Sequence, residues 1–254
     1  MGLGIKTRLK RAYSKGRQTQ QLALAQLAEA VGLKYPRYCP VCRRPAKKFL
    51  SRGLIPRPDA QCPYCGALER HRLDWVFFHT KTNLFDGKPK TMLHFAPERA
   101  FQGKLRHIPN LTYVSADLLV GRADVALDIT QLPFRDDAFA IIYCSHVLEH
   151  VPDDRKAMRE LHRVLHPAGW AVLQVPITAE RTYEDPSITD PKERERVFGQ
   201  HDHVRRYGPD YVDRLEEAGF KVTIFDTEDI IESPSLINRY AVANRKIYYC
   251  QKRN

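Results

Sequence analysis

The sequence predicts an α/β protein in which a parallel sheet of seven strands follows a small cysteine-rich module and a helical arm. Strand and helix patterns alternate from Lys90 onward, which is typical of a parallel sheet flanked by helices. Four of the six cysteines fall in two Cys-x-x-Cys pairs ahead of that region, and a stretch with helical character precedes them. We therefore divide the chain into residues 1–34, 35–68 and 69–254.

The excess positive charge of the chain is concentrated in the arm and the cysteine module. Residues 1–90 hold 19 Lys and Arg against 5 Asp and Glu, whereas residues 91–254 hold 22 against 25. Such a field favours an anionic partner, for example RNA, an acidic glycan or an anionic membrane surface. The alternative is a basic arm that only keeps the chain in solution.

Apolar patterning argues against a transmembrane segment. No apolar run approaches the roughly 18 residues that a membrane span requires. The first residues also lack the charged-then-apolar pattern of a signal peptide. We expect a cytoplasmic protein, in which clustered cysteines favour metal binding over disulfides.

The two cysteine pairs have the spacing of a structural zinc ribbon. Cys39 and Cys42 form the first pair and Cys62 and Cys65 the second, with 19 residues between the pairs. Two residues between cysteines allow one tight turn to present both thiolates, so two turns complete a tetrahedral Zn²⁺ site. Reduced dithiols or redox motifs are the alternative, although a redox site would need only one pair.

The alternating region is interpreted element by element. A helix pattern spans residues 68–80, a second helix starts near Glu98, and residues 152–165 and 209–218 form two more. The polar segment at residues 178–207 is too long for an ordinary connection between elements, which predicts a lid or substrate loop. Seven strands are predicted at residues 91–95, 111–116, 124–127, 139–145, 170–175, 220–225 and 246–251.

Three linked motifs in this region resemble the type 11 class I methyltransferases. They are DITQLPF at 128–134, SHVLEH at 145–150 and RVLHPAG at 163–169. The stretch LERHR at 68–72, together with the cysteine module, is similar to a bacterial branch with an N-terminal zinc ribbon. The resemblance implies a Rossmann-like seven-stranded sheet, S-adenosylmethionine as cofactor and methyl transfer as the reaction.

Carboxylates at two predicted strand ends are suited to an adenosine group. Asp117 follows the second strand, where a carboxylate can accept both ribose hydroxyls, and Leu118 lies beside it. The resemblance implies that Asp128 binds the adenine amino group with Ile129 nearby. The alternative is that either aspartate only caps a turn.

The turn after the first strand departs from the family pattern. The family has a glycine-rich turn there, whereas this chain has His94, with Ala96 at the first glycine position and Glu98 two residues later. Glu98 is a candidate ligand for the cofactor's amino group, or else an ordinary first-turn helix residue. Ser145, after the fourth strand, completes the predicted cofactor residues.

Histidines near the fourth strand are the candidate catalytic groups. His146 is the first candidate base for the acceptor proton, because histidine titrates near neutral pH; a packed loop histidine is the alternative. His201 and His203 in the long polar segment are candidates for a base, for substrate orientation or for metal binding. Metal is least favoured of these, because no nearby cysteine or spaced histidine completes a ligand set. Glu149 either contacts the acceptor or caps the following helix.

Arginines supply the remaining substrate candidates. Arg70, Arg72 and Arg205 are predicted to hold an anionic acceptor, because a guanidinium binds carboxylate or phosphate with two parallel bonds.

The predicted function is methyl transfer from S-adenosylmethionine to an oxygen or nitrogen of a small-molecule or glycan acceptor. One alternative is an RNA methyltransferase that grips phosphates with the zinc ribbon and the basic arm. A second is a non-enzymatic zinc-ribbon adaptor on a degenerate Rossmann scaffold, since the glycine-rich turn is missing.

Overall fold

The computed structural model describes residues 35–53 and 56–253, so the predicted arm at 1–34 lies outside the described residues. The chain forms two compact units. One comprises Met1–Asp86 and Asp226–Arg245, and the other comprises Gly87–Phe225 and Lys246–Asn254. Within the described ranges, none of the helices has the length and hydropathy needed to cross a membrane.

Among its described residues, the first unit has two short hairpins and three helices. Its strands pair antiparallel as β1 with β2 and β3 with β4. Their bounds are β1 (Arg37–Cys39), β2 (Arg44–Ala46), β3 (Leu50–Arg52) and β4 (Arg57–Gln61), and the helices are α1 (Glu69–Thr80), Thr227–Ile230 and Pro234–Tyr240.

Arg72 of α1 lies at the centre of this unit, with no exposed surface. Its five N–H groups donate to five backbone carbonyls: those of Asp59, Ala60, Ala67, Tyr240 and Ala241. A buried charge is tolerated only when its donors are satisfied, so this side chain ties α1 to the second hairpin and to the segment after Pro234.

The second unit contains the predicted seven-stranded sheet. Its strand order is β12-β13-β9-β8-β5-β6-β7, with β13 antiparallel to β9 and parallel pairing from β9 through β7. The strands are β5 (Lys90–Phe95), β6 (Leu111–Asp117), β7 (Val125–Ala126), β8 (Phe139–Ser145), β9 (Leu165–Gln174), β12 (Phe220–Asp226) and β13 (Lys246–Lys252). The Rossmann-like fold class is thereby confirmed.

Strand β8 lies in the middle of the core. Ile141, Ile142, Tyr143 and Cys144 are all fully buried. Successive side chains of a strand point to opposite faces, so both faces of the sheet are covered here. This explains why the strand has a continuous apolar run and not an alternating pattern.

Four helices accompany the sheet, and their starts follow capping rules. They are α2 (Arg99–Leu105), α3 (Asp154–Val164), α4 (Pro191–Phe198) and α5 (Tyr211–Glu217). The Asp153 carboxylate accepts a hydrogen bond from the Lys156 amide at 2.8 Å and caps α3. Met158 and Leu161 lie on the buried face of that helix, as their spacing predicts.

The prediction for the start of the fifth strand was wrong. The strand was predicted at residues 170–175, but β9 begins at Leu165. Leu165 pairs with Phe139 and Trp170 with Ile141, so the intervening residues bulge out of register. A Cβ on Gly169 would lie 2.5 Å from the Ala140 carbonyl oxygen, so glycine is needed for this close approach.

The long polar segment at 178–207 has regular structure of its own, which the prediction of a loop missed. It contains α4 and an antiparallel pair of strands, β10 (Tyr183–Glu184) and β11 (Arg205–Arg206). The local signals for α4 are present: Asp190 caps it through the Glu193 amide, Pro191 is its first residue, and Gly199 ends it in the left-handed conformation.

Candidate active site

The carboxyl ends of β8, β5, β6 and β7 form one edge of the sheet, because these neighbours run parallel. Asp117 is the last residue of β6 and pairs with Ala126 of β7, so Asp128 lies just beyond the same edge. In open α/β sheets, ligands bind outside this edge. The structure therefore brings the two aspartates to the place where the predicted cofactor would bind.

Both aspartates also close turns. Asp117 Oδ1 accepts a hydrogen bond from the Leu119 amide at 2.9 Å, and Asp128 Oδ1 accepts one from the Thr130 amide at 2.8 Å. These bonds involve only one oxygen of each carboxylate. The Leu118 side chain is 71% exposed, whereas Ile129 is buried. Turn capping and ligand binding are therefore compatible at these positions.

The turn after β5 keeps a glycine-like backbone without a glycine. Ala96 has φ of +45°, in the left-handed region that side chains disfavour. Its amide donates to the Ala116 carbonyl of β6 at 2.8 Å, which holds the turn against the sheet. The chain therefore differs from the family pattern in having alanine in place of glycine, but its backbone still turns sharply at this point.

Glu98 is held by a buried histidine. His94 is fully buried, with Nε2 2.8 Å from Glu98 Oε2 and Nδ1 2.8 Å from the Tyr113 hydroxyl. Glu98 also precedes α2, and its carbonyl accepts from the Phe101 and Gln102 amides. Its carboxylate is therefore fixed at the start of the helix, at the end of the first sheet strand.

His146 and Glu149 form a pair directly after β8. His146 has φ of +58°, an unusual backbone state for histidine, and its amide donates to the Gln174 carbonyl. His146 Nδ1 lies 3.1 Å from Glu149 Oε1; the His146 side chain is 32% exposed and that of Glu149 only 2%. Burial alone would raise the pKa of Glu149, but the hydrogen bond and charge of His146 outweigh it and the pKa is lowered. Glu149 therefore stays ionised beside the imidazole.

Two buried oxygens at this edge lack hydrogen-bond partners among the described residues. They are Ser145 Oγ and Glu149 Oε2. An unsatisfied buried polar atom costs about 1–3 kcal/mol, so such atoms cluster where a ligand supplies the missing partner. This observation supports a ligand site beyond the end of β8.

His203 joins this cluster, whereas His201 does not. His203 is buried, and its ring packs perpendicular to that of His150 with centroids 4.7 Å apart. Burial, followed by the neighbouring charge of His150, lowers the pKa of His203. His201 is exposed on the same segment. Sequence reasoning missed His150 and its neighbour Asp202, although the tandem Glu149-His150 was visible in the motif.

Arg205 is bonded to backbone carbonyls and carboxylates within the protein and does not bind an acceptor, which corrects the prediction. Its side chain is 3% exposed. Its guanidinium donates to the carbonyls of Leu148, Val151 and Pro152, and its Nε donates to Glu184 at 2.8 Å. It therefore fixes the short 3₁₀ helix at Leu148–His150, on which Glu149 and His150 lie.

The other two arginines lie in the first unit. Arg72 has all five donors engaged by backbone carbonyls, so it has none left for an anionic acceptor and that prediction was wrong. Arg70 lies on α1 and is half-buried.

The four predicted metal-ligand cysteines converge in the first unit. Their Sγ atoms all lie within 4.8 Å of one another. Cys39 and Cys65 Sγ are 3.6 Å apart, and Cys42 and Cys62 Sγ are 3.7 Å apart. Tetrahedral Zn²⁺ with Zn–S bonds of about 2.3 Å requires thiolates about 3.8 Å apart. The cluster is therefore compatible with a zinc ribbon.

We compared the chain with known protein families and proteins. Residues 90–173, from β5 to β9, match a family model described as a methyltransferase domain. A sterol 4-C-methyltransferase of Caenorhabditis elegans is 37% identical over 49 residues, which span 19% of this chain and 15% of that protein.

Solved structures share the fold at low sequence identity. The cyclase SpnF is 16% identical with a TM-score of 0.50, covering 92% of this chain and 94% of its own. A Burkholderia thailandensis 1,6-didemethyltoxoflavin N1-methyltransferase, solved with S-adenosylhomocysteine, is 14% identical with a TM-score of 0.49 and covers 73% and 78%. The family model matches residues 90–173 alone, and the likeness to SpnF shows a shared fold.

Proposed function

We propose that this protein is an S-adenosylmethionine-dependent methyltransferase that acts on an oxygen or nitrogen of a small-molecule or glycan acceptor. The observation that carries the proposal is that Asp117 and Asp128 lie at the same sheet edge as the His146–Glu149 pair and the Ser145 hydroxyl, which has no hydrogen-bond partner among the described residues. The matched methyltransferase domain spans these residues. Bound at this edge, S-adenosylmethionine would supply an activated methyl group on its sulfonium sulfur.

We assign the residues at this edge to the two ends of the cofactor, the adenosine end and the methionine end. Asp117 accepts hydrogen bonds from ribose hydroxyls, and Asp128 with Ile129 binds the adenine. Glu98, held by His94, is suited to bind the amino group of the cofactor's methionine end. The sharp turn at Ala96 directs the backbone away from that group. In this assignment, the Glu98 carboxylate takes over the binding role that the glycine-rich turn has in the family.

His146 is the proposed base. Its Nδ1 faces the ionised Glu149, so the proton resides on Nδ1 and Nε2 carries the lone pair. With S-adenosylmethionine bound as the methyl donor, Nε2 would accept the proton that the acceptor hydroxyl or amine must lose. Glu149 is a positioning residue that orients the ring and stabilises its charged form.

The test is production of S-adenosylhomocysteine. Purified protein is incubated with S-adenosylmethionine and fractions containing small molecules, glycans or RNA, and turnover of the cofactor is followed. Turnover that depends on a small-molecule or glycan fraction supports the proposal. Turnover that depends on RNA supports the second candidate below, and absence of cofactor binding supports the adaptor reading.

RNA methylation is the second candidate because positive charge is concentrated in residues 1–90. RNA affinity that falls steeply with salt would support this reading, because each neutralised phosphate releases counterions. We also propose that the four cysteines hold structural Zn²⁺, since four thiolates leave no open coordination position for catalysis.

A further inference from the structure

Three potential metal ligands converge beside the proposed base, in a cluster separate from the cysteines. Glu149, His150 and His203 each place one ligand atom so that all three lie within 4.8 Å of one another. Glu149 and His150 belong to the 3₁₀ helix after β8, and His203 to the segment after α4. The two segments are joined by the Val204 amide, which donates to the Glu149 carbonyl at 3.0 Å.

The Nδ1 atoms of the two histidines both face oxygen atoms, so each histidine can offer its Nε2 atom to an ion. His203 Nδ1 lies 3.3 Å from the Phe198 carbonyl oxygen, so the proton resides on Nδ1. His150 Nδ1 faces Asp202 Oδ2 at 3.4 Å, an ion-pair distance. Metal-binding histidines show this arrangement, in which one nitrogen donates to a carbonyl or carboxylate and the other binds the ion.

The carboxylate of Glu149 supplies an independent indication. Glu149 is 1% exposed, and its Oε2 has no hydrogen-bond partner among the described residues, although Oε1 is paired with His146. A buried anionic oxygen without a donor is costly unless a cation is bound. The Gln200 side-chain amide lies 2.7 Å from His203 Nε2 and would be displaced by an ion.

We propose that Glu149, His150 and His203 bind a divalent transition-metal ion, of which Zn²⁺ is the best match. Two imidazoles and one carboxylate form a ligand set that suits Zn²⁺ or Fe²⁺ and leaves an open coordination position for water or another oxygen ligand. From the sequence, metal near His203 is disfavoured because no nearby cysteine or spaced histidine completes a ligand set; in the fold, His150 lies beside His203. This proposal does not depend on methyl transfer.

The test is a calorimetric titration of Zn²⁺ and Co²⁺ into the full chain, with its cysteine site already filled with zinc. One additional ion per chain is expected, and with Co²⁺ its absorption should lack the thiolate-to-cobalt charge-transfer band. His150→Gln should lose this second ion, and so should Glu149→Gln. Asp202→Asn should weaken its affinity about 10–100-fold, the usual effect of removing a residue that orients a ligand.

His201→Gln is the matched control, because His201 lies on the same segment and is exposed. It should bind the second ion like the unchanged chain. Circular dichroism establishes that each variant is folded; His150 is the safest ligand to replace, since about a third of its side chain is exposed. No second ion, or equal affinity in His150→Gln and His201→Gln, would overturn the proposal. Cofactor affinity measured on the same samples tests the proposed function separately.

Discussion

His146 Nδ1 lies 3.1 Å from Oε1 of the buried Glu149, three residues further along the chain. This pairing fixes the imidazole at the carboxyl end of β8 and leaves Nε2 available at the surface of the site. The backbone of His146 at the sheet edge is in the left-handed region. Such unusual backbone states cluster at functional sites.

Replacing the proposed base should slow turnover without weakening cofactor binding. His146→Asn keeps a side chain that tolerates the left-handed conformation and removes the base. We expect kcat to fall by about 10²–10⁴-fold, the usual contribution of general base catalysis. The measurement is S-adenosylhomocysteine production, with His166→Asn as control, because His166 is an exposed histidine at the start of β9. An unchanged kcat would remove His146 from the proposed mechanism.

Ala96→Gly should stabilise the protein. The left-handed conformation costs a side-chain residue about 1–2 kcal/mol, while glycine adds about 0.4–1 kcal/mol of unfolded-state entropy. The expected net gain in the free energy of unfolding is about 0.5–1 kcal/mol, measured by urea denaturation. Ala157→Gly, inside α3, should instead lose about 1 kcal/mol or more. A loss of stability in Ala96→Gly would contradict the strain argument.

Acid should destabilise the second unit through Glu184. Burial would raise the pKa of Glu184, but hydrogen bonds from Arg214 and Arg205 lower it below its unfolded value. A lowered folded-state pKa means that the stabilisation is present at neutral pH and is lost as pH falls through that pKa. Glu184→Gln should therefore be less stable than the unchanged chain at pH 7, and the difference should shrink between about pH 5 and pH 3. A difference independent of pH would show that the ion pairs contribute nothing.

The cysteine cluster should lose its metal with one substitution. Cys42→Ser removes one of four thiolates, so the thiolate-to-cobalt absorption of the Co²⁺-substituted protein should disappear and the first unit should lose stability. Cys144→Ala, which alters a buried cysteine of the sheet, should retain that absorption. Detection of disulfides in place of metal would contradict the zinc assignment.

The parts of the fold that could be predicted from sequence are those with local signals. The carboxyl ends of the sheet strands, the buried face of α3 and the spacing of the four clustered cysteines each depend on a few neighbouring residues. Helix α4 was missed because its sequence is short and polar, although Asp190-Pro191 and Gly199 mark its ends.

The parts that could not be predicted depend on tertiary packing. Arg72 and Arg205 have the residue type of anion-binding groups, but the fold surrounds each guanidinium with carbonyls from distant segments. His150 and His203 are 53 residues apart in sequence, and only the closure of the α4 segment onto the 3₁₀ helix brings them together. No local pattern encodes such a pairing.

Calorimetric binding of S-adenosylmethionine to the unchanged chain, Asp117→Asn and Asp185→Asn tests whether a carboxylate at this sheet edge holds the cofactor. Asp185 closes the same kind of turn as Asp117, with its Oδ1 2.9 Å from the Ser187 amide, so it controls for loss of the turn. Asp117→Asn should weaken binding about 10–100-fold, since charged hydrogen bonds contribute about 1.5–3 kcal/mol, and Asp185→Asn should bind normally. Equal affinity in all three proteins, or no binding by the unchanged chain, would contradict the account.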